Sequence, residues 1–190
     1  MENKAVTAYI LAGGKSQRMG TDKGFLEWNG QTFIALIVAA LVPMVGDNIV
    51  IISSNERYDA LGFTRIPDIV ANKGPLGGIY TALKNSATKR NLILSVDVPL
   101  ISSELIQWLV DSHDESYLLT QVAVLGKPCP LVAVYDRSVR QLLPEFIASN
   151  QLKVREFVNE ITHQTLEVPE KWKNQLQNIN TPEEYKNIVL

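Results

Sequence analysis

Short runs of β-branched and apolar residues alternate along the chain with amphipathic stretches of helical length. Such alternation is typical of βαβ units, which close a mostly parallel sheet with helices on its faces, so the sequence predicts an α/β fold. Strands are predicted over residues 5–11, 48–53, 63–66, 91–96, 117–124 and 130–134. Helices are predicted over residues 32–41, 76–85, 102–111, 137–149 and 153–159, with a last helix after Thr181.

The length of the chain, 190 residues, suits one substantial core, and we predict that residues 1–190 form a single domain. No segment comes close to the roughly 20 apolar residues that a bilayer span requires. The first residues lack the basic region, apolar stretch and cleavage site of a secretory signal. We therefore expect a cytoplasmic protein that is not inserted in a membrane.

Composition narrows the classes of function. Cys129 is the only cysteine, which excludes an internal disulfide framework and a Cys-based zinc site, and we interpret it as a small core thiol. The 18 basic and 20 acidic residues give a net charge of -2, and the basic residues form no block. The sequence thus lacks the charge pattern of a nucleic-acid or anionic-membrane binder, and any phosphate site must be local.

A glycine-rich segment, LAGGKSQRMGTDK over residues 11–23, follows the first predicted strand. Glycines let backbone N–H groups approach phosphate oxygens, and Lys15, Arg18 and Lys23 can neutralise charge on a triphosphate. The alternative, a surface loop with incidental basic residues, is less favoured because the glycines directly follow a buried strand. A Walker loop would need a glycine at Tyr9, and a dinucleotide fingerprint would need glycines at positions 15 and 18, so neither motif is present.

Residues 11–23 match the signature LAGGxSxRMGxDK throughout, and the chain therefore resembles the molybdenum cofactor guanylyltransferases and their nucleotidyltransferase relatives. The resemblance implies a Rossmann-like three-layer nucleotidyltransferase fold with a mostly parallel central sheet. It also implies that Arg18 and Lys23 are catalytic cations that face the nucleotide phosphates. The wider sugar-nucleotide relatives usually have Pro before this Lys, so Asp22 favours the cofactor branch. The implied nucleotide contacts of this loop are Leu11, Ala12, Gly13, Gly14 and Lys23.

Asp97 follows an apolar strand and precedes the turn-forming Pro99. In open α/β sheets ligands gather at the carboxyl edge, and a carboxylate there can hold Mg²⁺ against substrate phosphates. An Asp that only caps the turn is the alternative. Combined with the glycine-rich loop, the metal-ligand hypothesis is favoured, with Asp97 catalytic and Mg²⁺ as cofactor. The segment resembles the family's Cys-Asp-x-Pro-like motif, with Val96 at the neighbouring position.

Gly74-Pro75 leads from a loop into a predicted helix whose first N–H groups are free to bind a ligand. The glycines nearby are equally explained by close packing of the helix on the sheet. The run resembles a loop of the family, which implies nucleotide contacts for Gly74 and Pro75. Asp68 stands where the family has an acidic nucleotide contact, and a carboxylate suits the paired N–H donors of guanine.

Ser53-Ser54-Asn55 follows the second strand and supplies short polar side chains for ribose or base. The family commonly has Asn at the first of these positions, so the resemblance transfers the location, Ser53, but not the full hydrogen-bonding role. A turn that merely ends the strand is an equal alternative.

Residues 177–185 resemble the closing motif Asn-x-Asn-Thr-Pro-Glu of the family, so the resemblance extends over nearly the whole chain. Asn180 either supports the metal and phosphates or caps the last helix. Thr181 can cap that helix, Pro182 suits its first position, and Glu184 can complete a capping box.

Three further residues are harder to assign. Cys129 fills a position where the family often has His, which leaves acceptor contacts there open. His113 and His163 have no obvious partner in sequence, and we predict that both lie on the surface.

The resemblance implies an enzyme in which a terminal phosphate of molybdenum-molybdopterin attacks GTP, forming molybdopterin guanine dinucleotide and releasing pyrophosphate. It also implies transient contact with other enzymes of molybdenum cofactor biosynthesis or with acceptor enzymes. One alternative is a cytidylyltransferase or another nucleotidyltransferase that acts on a different phosphorylated acceptor. Another is a non-catalytic nucleotide-binding regulatory module, since fold does not imply function. The second alternative is disfavoured because both Lys23 and Asp97 are present.

Overall fold

The computed structural model describes residues 5–13, 22–179, 181 and 183–185. Seven strands form the central sheet in the order β5-β4-β1-β6-β8-β7-β9, and β2 and β3 form a separate two-stranded ribbon. The strands are β1 (Val6–Leu11), β2 (Glu27–Trp28), β3 (Gln31–Thr32), β4 (Ile49–Ile52), β5 (Thr64–Ile66), β6 (Arg90–Ser95), β7 (Leu119–Val124), β8 (Lys127–Asp136) and β9 (His163–Glu167). Of the seven strands only β8 runs antiparallel to its neighbours, so the mostly parallel sheet is confirmed.

Helices connect these strands and cover both faces of the sheet. The α-helices are α1 (Phe33–Val45), α2 (Gly74–Asn85), α3 (Ser103–Asp111), α4 (Leu143–Ala148) and α5 (Val154–Asn159). Short 3₁₀ helices span Lys23–Phe25, Glu56–Leu61, Arg137–Gln141 and Glu170–Leu176. No helix within the described ranges is both long enough and apolar enough to cross a membrane.

Side-chain alternation along the strands divides the core into two halves. In β1, Ala8 and Ile10 pack with residues of α1 and α3, whereas Tyr9 and Leu11 pack with residues of α2, α4 and α5. Because successive side chains of a strand point to opposite faces, a strand that is apolar throughout is buried on both. The result is a helix-sheet-helix arrangement, which confirms the predicted three-layer α/β fold.

All six predicted strands are found, but three strands were missed. The ribbon strands β2 and β3 have two residues each. The edge strand β9 is polar along most of its length and pairs in parallel with β7. Burial of apolar side chains therefore gave no signal for any of the three.

The helix predicted over residues 137–149 is in fact two helices, a 3₁₀ helix followed by α4. Pro144 lies in the first turn of α4, where its missing N–H group is tolerated, and this position interrupts the continuous helix that periodicity suggested. The predicted capping box is confirmed. The Thr181 N–H donates to Glu184 Oε2 at 2.9 Å and the Glu184 N–H donates to Thr181 Oγ1 at 3.2 Å.

The surface position predicted for His113 is wrong. His113 is 7% exposed, and its Nδ1 lies 2.9 Å from Thr120 Oγ1. Burial, reinforced by the Arg90 charge, lowers the pKa of this imidazole. His163 is partly buried, with its Nδ1 3.0 Å from the Ile161 carbonyl oxygen. Cys129 is half-buried and packs against the core, and burial raises the pKa of its thiol.

Candidate active site

A cavity of about 670 Å³ opens at the carboxyl ends of β1, β4 and β6. After β1 the chain adds β4 and then β5 on one side of β1, and it adds β6 on the other side of β1 only later. The strand order therefore reverses beside β1. Such a reversal leaves a crevice above the sheet in which α/β proteins bind ligands. The lining residues are Leu11, Ala12, Gly13, Asp22, Lys23, Ile52, Ser54, Pro67, Asp68, Ala71, Asn72, Gly74, Pro75, Gly78, Val96 and Asp97.

The backbone that follows β1 forms one wall of the cavity. The Ala12 N–H donates to the Ile52 carbonyl at 3.1 Å, and the Val96 N–H donates to the Leu11 carbonyl at 3.1 Å. Ser53 lies behind this wall: it is 2% exposed, and its Oγ donates to the Ala12 carbonyl at 3.3 Å. The wall is thus tied to both neighbouring strands. Ser53 supports it, whereas the adjacent Ser54 lines the cavity.

Asp68 carries the most unusual polar group of the site. Its Oδ1 is buried and has no hydrogen-bond partner among the described residues. Burial raises the pKa of this carboxyl above its ordinary value of 3.8. A Cβ added to Gly13 would lie 3.3 Å from Asp68 Oδ2, and one added to Gly78 would lie 3.7 Å from Oδ1. Glycines on both sides therefore let backbone approach this carboxylate closely.

The start of α2 forms the wall that carries Gly74, Pro75 and Gly78. Gly74 has a φ of +57°, a left-handed conformation that favours glycine. A Cβ on Gly78 would come within 3.2 Å of Leu11 Cδ2, so this glycine also permits close packing of α2 on β1. Close packing of the helix on the sheet, one of the two interpretations from sequence, is thus found, and the nucleotide contacts of Gly74 and Pro75 stay a prediction. Glycine packing brings the helix onto the sheet, and that approach brings the first turn to the cavity.

Lys23 and Asp97 meet on the opposite side of the cavity. Lys23 Nζ lies 2.8 Å from Asp97 Oδ1, with 14% and 27% of the two side chains exposed. Lys23 begins a 3₁₀ helix, and Asp97 follows β6 in a loop held by the Ile179 N–H, which donates to the Asp97 carbonyl at 3.0 Å. The predicted cation and the predicted metal ligand therefore converge, although 74 positions separate them in sequence.

The donor set at Asp97 can be compared with what Mg²⁺ requires. Mg²⁺ is usually held by one or two carboxylates, with waters and substrate phosphates completing its coordination. The described part of the chain contains no group of three or more His, Cys, Asp or Glu side chains that could enclose a metal on their own. The Asp97 carboxylate, which is partly exposed and lines a cavity large enough for a nucleotide, fits Mg²⁺ and does not suit a metal that needs an all-protein cage.

Four predicted site residues lie outside the described ranges, Gly14, Lys15, Arg18 and Asn180, and so does Pro182 of the predicted helix start. Ser54, which the sequence offered together with Ser53 and Asn55 as a polar side chain for ribose or base, lines the cavity. Sequence reasoning gave no role to Asn72, which also lines the cavity, and treated Asp22 only as part of a signature. Asn72 adopts a φ of +60°, as Asn tolerates better than most residues.

A family model described as the MobA-like NTP transferase domain matches residues 8–165. A relative from Flavobacterium johnsoniae, named a probable molybdenum cofactor guanylyltransferase, is 39% identical over 185 residues, which cover 97% of each chain. The chain belongs to the MobA-like NTP transferase family. Membership in this family makes the chain a nucleotidyltransferase. It also confirms the family resemblance that was identified from the glycine-rich loop.

A second relative and a solved structure are similar to nearly the whole chain. The relative, from Carboxydothermus hydrogenoformans, is also named a probable molybdenum cofactor guanylyltransferase and is 29% identical over 97% of this chain and 95% of its own. Among solved structures, molybdopterin-guanine dinucleotide biosynthesis protein A from Archaeoglobus fulgidus gives a TM-score of 0.81 at 20% identity, covering 96% of both chains. This likeness shows a shared fold. It agrees with the parallel sheet and flanking helices described above.

Proposed function

We propose that this MobA-like transferase moves GMP from GTP to molybdenum-molybdopterin, forming molybdopterin guanine dinucleotide and releasing pyrophosphate. Two relatives named probable molybdenum cofactor guanylyltransferases support the guanylyl group and the acceptor. The observation that carries the choice of base is the buried Asp68 Oδ1, which has no hydrogen-bond partner among the described residues. A buried acceptor without a donor is costly unless a ligand supplies one.

Guanine is the base whose chemistry matches Asp68. Its Watson-Crick edge presents two adjacent donors, N1–H and the N2 amino group, and a carboxylate is an acceptor-only group with two oxygens. Cytosine and adenine each present an amino donor beside a ring nitrogen that accepts, which would face a carboxylate oxygen with a lone pair. Such a mismatch leaves buried polar groups unpaired, and sites of this type discriminate strongly.

The phosphates of GTP would then extend from the β1 wall toward Lys23 and Asp97. The Lys23 ammonium would neutralise charge that grows on the α-phosphate and on the departing pyrophosphate, and we assign Arg18 the same task from its place in the signature. Asp97 is the residue that would hold Mg²⁺, which supplies charge neutralisation and alignment of the phosphates. The bond broken joins the α-phosphorus to the oxygen that bridges the α- and β-phosphorus, and this oxygen leaves with pyrophosphate.

The nucleophile in this scheme belongs to the acceptor. An oxygen of its terminal phosphate forms the new bond to the α-phosphorus, and because a phosphate monoester is already anionic near neutral pH, no side-chain nucleophile is required. Catalysis can therefore rest on alignment and charge neutralisation. The transfer is balanced, because one P–O bond forms as one breaks.

Pyrophosphate release with GTP, CTP, ATP and UTP tests the proposal, each measured with and without a molybdopterin cofactor extract. We expect GTP to be used well ahead of the others, and release to depend on the extract. Equal or better use of CTP would overturn the guanylyl assignment and leave the nucleotidyltransferase intact, because the phosphate-binding residues do not depend on the base. Turnover with a sugar phosphate in place of the extract would overturn the acceptor.

A further inference from the structure

Asp22, the residue directly before Lys23, is held by three hydrogen bonds. Tyr58 Oη donates to its Oδ1 at 2.5 Å, and Asn55 Nδ2 donates to its Oδ2 at 2.8 Å. The Gly24 N–H donates to Oδ1 at 3.1 Å, which makes Asp22 the cap of the 3₁₀ helix that Lys23 begins. Both carboxylate oxygens are thus engaged, and one donor comes from 36 positions away in sequence.

The Tyr58 hydroxyl occupies a closely fitted position. Tyr58 is fully buried, and its ring stacks on Phe25 with the centroids 4.6 Å apart. Burial, reinforced by the hydrogen bond to Asp22, raises the pKa of the Tyr58 phenol, so the hydroxyl stays protonated and remains a donor. A Cβ added to Gly24 would overlap the Tyr58 hydroxyl, so the glycine after Lys23 is needed for this contact.

Backbone conformation does not explain why the position before Lys23 is an Asp. Asp22 has a φ of -69° and a ψ of 121°, an extended conformation that Pro adopts equally well. Since the backbone would accept Pro, the carboxylate itself must account for the Asp. In this structure the carboxylate accepts the Gly24 N–H and is held from the other side by Tyr58 and Asn55.

We infer that Asp22, clamped by Tyr58 and Asn55, is a positioning residue that fixes the backbone of Lys23 so that its ammonium stands beside Asp97. The inference rests on the proposed role of Lys23 at the phosphates. A Lys side chain is long and flexible, and the structure shows its Nζ 2.8 Å from Asp97 Oδ1. Because its backbone is already restrained, Lys23 loses less conformational entropy when its ammonium binds the negative charge that grows on the phosphates in the transition state.

This assignment gives Asn55 a task other than the ribose or base contact that its place after β4 suggested. Its Nδ2 binds Asp22, while its Oδ1 accepts from the Arg57 N–H at 3.1 Å and caps the 3₁₀ helix that carries Tyr58. One side chain therefore joins the two 3₁₀ segments, and a direct contact with nucleotide is unnecessary to explain it.

The test is a double-mutant cycle on turnover with GTP and the cofactor extract. Tyr58→Phe removes one donor and keeps the buried ring, and Asn55→Ser removes the other donor while a hydroxyl can still cap the helix. We expect each variant to lower kcat about tenfold with KM for GTP changed less than about twofold, a loss of about 1.4 kcal/mol in transition-state stabilisation. In a Lys23→Ala background, the same changes should alter kcat less than about twofold.

The matched control is Tyr135→Phe. Tyr135 is also fully buried, and its hydroxyl donates to the Pro130 carbonyl at 2.8 Å, but it lies outside the cavity lining. It should lose stability as Tyr58→Phe does and keep wild-type kcat. If the Tyr58→Phe and Lys23→Ala losses multiply, or if Tyr58→Phe raises KM and spares kcat, the positioning inference is overturned. If Lys23→Ala itself keeps wild-type kcat, the proposed function fails instead.

Discussion

Asp68→Asn should make the protein more stable at neutral pH while it removes the preference for GTP. An unpartnered buried polar group costs about 1–3 kcal/mol, and more when charged. Asp68→Asn leaves a polar atom at this position and removes its charge, so it relieves only the part of the cost that depends on charge. Because Asp68 is half-buried and solvent screens part of its charge, we take the lower end, a gain of about 1 kcal/mol. For a chain of this size that gain corresponds to a rise in Tm of about 2–4 °C.

The pH dependence of this gain follows from the sign of the pKa shift. Burial raises the pKa of Asp68 above 3.8, so the protonated carboxyl favours the folded state. The stability linked to that proton is fully present below the unfolded pKa and is lost as the pH rises through the raised, folded pKa. The advantage of Asp68→Asn over wild type should therefore be largest at neutral pH and should shrink toward zero as the pH falls to 3.8.

Thermal unfolding of the nucleotide-free protein across this pH range measures the effect. Glu115→Gln is the control of opposite sign, because hydrogen bonds from Lys89 and then Arg90 lower the pKa of Glu115 from 4.5 to about 2. That variant should be less stable than wild type at neutral pH, with a deficit that fades as the pH falls below 4.5. A lower Tm for Asp68→Asn at pH 7, or an advantage that grows on acidification, would refute the reasoning.

Three further predictions concern the cavity. Asp97→Asn should abolish Mg²⁺-dependent turnover with little loss of folding, because the amide keeps the size and loses the charge, and near-normal activity at ordinary Mg²⁺ would contradict it. Lys23→Ala should lower kcat about a hundredfold or more and change KM little, and Arg18→Ala should cause a smaller loss of kcat. If both variants keep the wild-type kcat in steady-state kinetics, these cations do not act on the phosphates. Gly78→Ala should raise KM for GTP and lower Tm, because the added Cβ would lie 3.2 Å from Leu11 Cδ2 and displace the β1 wall. An unchanged KM would show that Leu11 can move without altering the nucleotide site.

Sequence predicted the parts of the fold that apolar burial determines. β1, β4 and the middle of β6 are mainly apolar because both of their faces are covered, and such runs are visible without a structure. β9 was missed because it is held by backbone pairing to β7 rather than by an apolar face. β8 begins at Lys127, three residues before the predicted start, and its pairing with β7 shifts register between Gln121 and Val122. A register shift of this kind leaves no periodic pattern of apolar residues in the sequence.

The site divides in the same way. Residues that are close in sequence, such as Leu11 to Gly13 or Gly74 and Pro75, could be placed at the cavity from a motif, because each motif is one short continuous segment. The partners of Asp22 could not, because Tyr58 reads in sequence as an ordinary core aromatic and only tertiary structure places its hydroxyl on the loop before Lys23. The burial of His113 is likewise a property of its contact with β7, where Thr120 lies, and its own segment carries no sign of it.

Two of the three acidic residues that line the cavity, Asp68 and Asp97, differ in a way that separates their proposed tasks. Asp97 already has a counter-charge, Lys23, so phosphate and metal must rearrange an existing ion pair, and changes there should be expressed mainly in kcat. Asp68 Oδ1 has no hydrogen-bond partner in the part of the chain that the structure describes. A base with two donors would therefore form these hydrogen bonds already in the ground-state complex, where they contribute to binding. Loss of Asp68 should thus raise KM for GTP and spare kcat. A variant at Asp68 that lowered kcat alone would place this carboxylate in the chemical step and not in the choice of base.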